Sequence, residues 1–203
     1  MQLKDKNLEK AVCFKVGKFG NQGLSEEDFE KVEEINISNR KFSGETKDVS
    51  LEELKLFPNI KRISLQYFEI DDIIAEILNS LRSLEALELS SCKFCSSIQI
   101  KNGALRNLYL NCCEIKDYSS LYATEIFSIL GSDNFRLDKV QGKENIEIMY
   151  LQGSNIKGFK SIDECSRLKS LNLDGSKVDD NHSLDEIKKR IQVSHLEEYL
   201  PMR

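Results

Sequence analysis

The chain has 203 residues, 40% of them hydrophobic and 31% charged, which is the balance of an ordinary globular protein rather than a disordered or fibrous one. A net charge of −5 argues against nucleic acid as a partner, because affinity for phosphates comes mostly from basic groups. No window approaches the ~18 continuous apolar residues that a membrane span needs, so none is expected.

The first seven residues include two lysines but no apolar stretch follows them, so no secretory leader is predicted and a cytoplasmic location is expected. A secreted or cell-surface location is the alternative if a leader has been removed. Leu8, Ala11, Val12 and Lys15 predict a first helix with a narrow apolar stripe. Ser25 followed by Asp28 is a capping-box variant, with Asp where Glu is usual, and opens a second helix that buries Phe29.

From Val32 onward one spacing recurs: an apolar residue, another three later, another two after that, and usually a fourth five further on. It is clearest at Leu84, Leu87, Leu89 and Phe94, at Leu105, Leu108, Leu110 and Ile115, and at Leu168, Leu171, Leu173 and Val178. This is the leucine-rich repeat signature, one short strand per repeat. Placing the first repeat position at Val32, Ile60, Leu84, Leu105, Thr124, Ile146, Leu168 and Lys188 gives about eight rungs. The inward pairs are then Ile35/Ile37, Ile63/Leu65, Leu87/Leu89, Leu108/Leu110, Phe127/Ile129, Met149/Leu151, Leu171/Leu173 and Ile191/Val193. Starting the fifth rung at Ile126 instead puts Gly131 at a core position. The Phe127/Ile129 register places Leu137 and Val140 on the convex turn, where other turns carry Tyr118/Leu121 and Phe159/Ile162.

No rung can fold alone, so the stack needs caps at its ends. The predicted fold is an α/β leucine-rich repeat solenoid, a right-handed curved horseshoe with a parallel concave sheet. Residues 1–31 form a helical cap, 32–195 the repeats, and 196–203 a carboxy-terminal cap or tail in which Leu196, Tyr199 and Leu200 cover the last strand. Residues 49–57, ended by Pro58, and 71–81 predict helices on the convex side.

The helical cap with its serine-capped second helix, followed by repeats of this length, resembles the bacterial internalin-type leucine-rich repeat proteins. Residues 24–37 carry the most specific part of that resemblance. It implies binding of a host or cellular protein through the concave sheet. The buried ladder position, usually Asn in that family, is occupied here by Arg40, Phe68, Cys92, Cys113, Ser132, Ser154 and Ser176.

Catalysis has little support. The two histidines, His182 and His195, sit in polar surroundings, and neither G-x-S-x-G nor a complete phosphate-loop motif occurs. The chain is therefore read as not an enzyme, with no cofactor. Cys92-Lys-Phe-Cys95 and Cys112-Cys113 raise the alternative of a metal-binding protein, but adjacent cysteines make a poor second pair for zinc. The preferred reading is structural, with Cys92 and Cys113 stacked on adjacent rungs.

Function is expected on the concave surface. Its ends are polar, whereas Tyr109, Ile126, Leu130, Ile148 and Tyr150 place five apolar or aromatic side chains on three consecutive rungs. Glu88, Asn107, Asn111 and Gln152 rim this patch, and Tyr67 extends its edge. Such a patch fits a protein partner, with the tyrosines as anchors. A glycan or small ligand on the same face is the alternative, and the chain is expected to be a monomer.

Overall fold

The computed structural model describes residues 3–18, 23–39, 51–95 and 99–194. Arg40, His195, Leu196, Tyr199 and Leu200 lie outside the described residues, as does part of the predicted 49–57 helix. Helix α1 (Lys6–Val16) buries Leu8 and Val12 and packs on the first strand. Helix α2 (Glu26–Glu30) opens with the full capping box. Asp28 N–H donates to Ser25 Oγ at 3.3 Å, and Ser25 N–H donates to Asp28 Oδ2 at 2.6 Å. Lys18 Nζ sits 2.5 Å from the same carboxylate, joining the two helices. Together these contacts hold the Asp28 carboxyl well below the usual carboxylate range.

Eight strands form one parallel sheet in chain order: β1 (Glu34–Ser38), β2 (Arg62–Gln66), β3 (Ala86–Ser90), β4 (Asn107–Asn111), β5 (Ile126–Leu130), β6 (Ile148–Tyr150), β7 (Ser170–Asn172) and β8 (Gln192–Ser194). Because side chains alternate along a strand, each inward pair enters the core and its neighbours face out. Ile35, Ile63, Leu87, Leu108, Phe127, Met149 and Leu171 stand in register across the first seven strands. All seven are buried. The fifth rung therefore has the Phe127/Ile129 register.

The eighth rung differs from the expected one. Leu171 pairs with Val193, not Ile191, so the rung begins two residues later than predicted. Helix α4 (Asn181–Lys188) is the cause. Asp180 caps it by accepting from Ser183 N–H at 3.2 Å, and the helix seats Leu184 and Ile187 in the core, so the strand starts only at Gln192. A two-residue shift preserves facing, and Ile191 and Val193 still pack on the core.

After each of β2 to β7 the chain turns through one residue of positive φ: Tyr67, Ser91, Cys112, Gly131, Gly153 and Gly175. The next residue is the ladder position, which that turn directs under the sheet. Phe68 fills it with an apolar ring. Cys92 and Cys113 donate their thiols to the carbonyls of Leu65 (3.4 Å) and Leu89 (3.2 Å). Ser154 and Ser176 repeat the bond to Ile129 and Leu151. The serines also link to one another, Ser132 N–H donating to Ser154 Oγ and Ser154 N–H to Ser176 Oγ.

On the convex side, helix α3 (Asp72–Ser80) is capped by Asp71, while the predicted 49–57 helix is only a 3-10 turn over Glu52–Leu56. That short turn still buries Leu54, with Phe57 behind it. Pro58 stands just beyond its turn as predicted, whereas Leu81 is the C-cap of α3 rather than its last helical residue. Tyr118, Leu121, Leu137, Val140, Phe159 and Ile162 fill the later turns, all buried.

Candidate functional site

Three rows of side chains cross the outer face of the sheet, each fixed by strand register. The first runs Glu34, Arg62, Ala86, Asn107, Ile126, Ile148 and Ser170. The second runs Asn36, Ser64, Glu88, Tyr109, Ser128, Tyr150 and Asn172. The third runs Ser38, Gln66, Ser90, Asn111 and Leu130, and Gln152 follows in step because its carbonyl accepts from Gly131 N–H.

The rows bring Tyr109, Ile126, Leu130, Ile148 and Tyr150 together over β4, β5 and β6. All five are partly exposed. Ser128, directly between the tyrosines, is only 2% exposed, so it adds little polar surface to interrupt the patch. Below, Phe127 lies 6.4 Å from Phe135, and Phe135 meets the Tyr118 ring edge-on at 5.2 Å. The Tyr118 hydroxyl is hydrogen-bonded to Ser132 at 2.8 Å, and burial raises its pKa. This aromatic layer holds β5 firmly, so the apolar patch is presented on a rigid support.

The rim is uneven. Asn107 lies between Ala86 and Ile126, and Gln152 flanks Leu130. Glu88 and Asn111 meet on the β2 side, where Asn111 Nδ2 donates to Glu88 Oε1 at 3.1 Å. With Arg62, Ala86, Tyr109, Ser128 and Leu130 they line a depression of about 260 Å³. Tyr67 is not part of this group. It is 44% exposed at the end of β2, two rungs from Tyr109, with β3 between them.

Sequence reasoning missed a charged column along the flank where the strands begin. Glu33, Lys61, Glu85, Arg106, Glu125, Glu147 and Lys169 each follow a first repeat position. Lys61 pairs with Glu33 at 2.8 Å and Lys169 with Glu147 at 2.6 Å, and Arg167 also bonds Glu147. A search for charges one place after each leucine position would have found it. A second concavity of about 470 Å³ opens on that flank, where buried Thr124 replaces the usual aliphatic residue and Lys101 lies 5.2 Å over the Tyr122 ring.

The cysteines are dispersed by role. Cys92 and Cys165 are buried, Cys113 is partly so, and Cys95 and Cys112 are exposed. Burial pushes the Cys165 thiol up to about 12. The adjacent Cys92 thiol and burial together raise that of Cys113. Among the described residues no three His, Cys, Asp or Glu side chains are gathered for a metal ion. His182 is exposed on α4, and Asp71 and Asp180 serve as helix caps.

The architecture is that of internalin-type leucine-rich repeat proteins. Internalin C2 of Listeria monocytogenes str. 4b F2365 superposes with a TM-score of 0.58 at 17% identity, over 95% of this chain and 93% of that one. A second internalin of the same strain, inlF, superposes with a TM-score of 0.68 at 20% identity over 94% of this chain, which spans only 55% of inlF. At these identities the likeness establishes the fold. No protein-family model and no curated sequence matches the chain.

Proposed function

We propose that this protein is a non-catalytic scaffold that binds a partner protein through its concave sheet, with Tyr109 and Tyr150 as the principal anchors. The observation that carries this reading is the patch itself: five partly exposed apolar side chains on three adjacent rungs, on a face whose other positions are polar apart from buried Ala86. Contiguous exposed apolar surface rimmed by polar groups is characteristic of interaction sites. Its support is preformed, so association loses little conformational entropy. The fold it shares with the internalins is compatible with such a role.

The same reading makes the protein a monomer, without nucleic acid as a partner, in a reducing compartment. Cys92 and Cys165 behave as small buried apolar residues, which suits the cytoplasm. The test is an affinity capture from the source cell, comparing the native protein with Tyr109→Ala/Tyr150→Ala shown to be folded by circular dichroism. A protein retained by the native form and lost by the variant supports the scaffold and its site. Equal retention by both moves the site off the centre of the concave face. Capture of no protein directs attention to glycans, tested on a glycan array.

A further inference from the structure

We propose that the depression lined by Glu88, Asn111, Tyr109 and Leu130 receives one cationic side chain, a lysine or arginine, projecting from an apolar segment of the partner. The proposal rests on the concave-face reading above and specifies its chemistry. The floor is made of small residues, Ala86 and Ser128, 5% and 2% exposed, with Tyr109 and Leu130 forming an apolar wall. A side chain with a methylene stem has room there and a ring to lie against.

The polar groups of the depression have acceptor capacity left over. Glu88 Oε1 accepts from Asn111 Nδ2 at 3.1 Å and from Ser90 Oγ at 3.5 Å, whereas Oε2 accepts from no group among the described residues. No cation among the described residues lies within ion-pair distance of Glu88, in contrast to Glu33, Glu34 and Glu147, which all have basic partners. Arg62 lines the same depression from β2 but forms no ion pair with Glu88.

Asn111 adds a second, independent indication. Its Oδ1 is buried and has no hydrogen-bond partner among the described residues. Turning the amide over is no remedy, because the Glu88 carboxylate only accepts and so requires the Nδ2 side. A buried acceptor left unpaired is costly, and native structures rarely leave one without a reason. The free Glu88 carboxylate oxygen, beside a polar amide, asks for a group with N–H donors and positive charge. An ammonium or guanidinium meets that requirement, and its charge also favours the Tyr109 ring face. A neutral apolar anchor leaves Glu88 without a cationic partner.

The test uses a phage-displayed library of random peptides, selected on the full-length protein and counter-selected on Tyr109→Ala/Tyr150→Ala. The expected binders carry a lysine or arginine beside apolar residues. Glu88→Gln, which keeps an acceptor for Asn111 but removes the charge, is expected to weaken them about 10- to 100-fold. Replacing the basic residue by norleucine or citrulline should cost as much, and combining the two changes should add little further. Tyrosine-dependent peptides that lack a basic residue, or ignore Glu88→Gln, overturn this inference and leave the concave site standing. A library that yields no tyrosine-dependent binder counts against both.

Discussion

Truncating Phe127 and, separately, its neighbour Ile126 to alanine tests the register on which the binding face depends. Phe127 is fully buried in the aromatic layer with Phe135 and Tyr118. Its strand is hydrogen-bonded on both sides, to β4 and β6, so the surrounding rungs cannot close over the space left by the ring. Phe127→Ala is therefore expected near the upper range for core truncations, about 3–5 kcal/mol. Ile126 points to the other face and is already partly exposed, so Ile126→Ala should cost about 1 kcal/mol or less. Urea unfolding followed by circular dichroism measures both. With a slope of about 1–3 kcal/mol/M, Phe127→Ala lowers the midpoint by more than about 1 M, and Ile126→Ala by a fraction of that. A one-residue slip of β5 would reverse the order, since every side chain on the strand would change face. An Ile126→Ala variant as damaged as Phe127→Ala refutes the register, and the apolar patch with it.

The serine ladder yields a second prediction. Ser154→Ala removes the acceptor for the buried Ser132 N–H and the donor to the Ile129 carbonyl, and should cost about 1–3 kcal/mol in chemical denaturation. A neutral result would show that the serines only fill space. Asp28 makes stability pH-dependent at the acid end. Its folded pKa lies below the unfolded value of about 3.9, so its contribution is complete above that value and is lost as pH falls toward the folded one. Native protein should therefore lose its advantage over Asp28→Asn as the pH drops from about 5 toward 2, and a gap that stays constant contradicts the assignment. Thiol access gives a fourth. Iodoacetamide should modify Cys95 and Cys112 in the folded protein and leave Cys92 and Cys165 until urea is added, as peptide mass mapping reads directly. Rapid labelling of Cys165 would contradict its burial.

Rungs one to seven were legible because their anchors are large aliphatic or aromatic residues at fixed spacing, and an inward pair two residues apart admits only one facing. The eighth was misplaced because Ile187, which plugs the core from α4, and Ile191, which follows the helix, both fit an apolar pattern without revealing where the helix stops. The left-handed turns fall on Gly131, Gly153 and Gly175, where glycine's freedom permits them, but also on Tyr67, Ser91 and Cys112, which take the same conformation without it. The five patch residues stood out as apolar side chains at outward positions. The Glu88–Asn111 contact did not, because it depends on side-chain conformations that bring Asn111 Nδ2 to Glu88 Oε1 across two strands, which spacing cannot encode.

The central claim is that the concave apolar patch binds a protein, and calorimetric titration of the captured partner tests it most directly. Three forms should be compared: native, Tyr109→Ala/Tyr150→Ala, and Ile73→Ala, which alters a side chain 61% exposed on convex helix α3. The account predicts a loss of about 1–3 kcal/mol per tyrosine and no change for Ile73→Ala. Undiminished binding by a folded tyrosine variant, with loss in Ile73→Ala, would contradict it and place the interaction on the convex side.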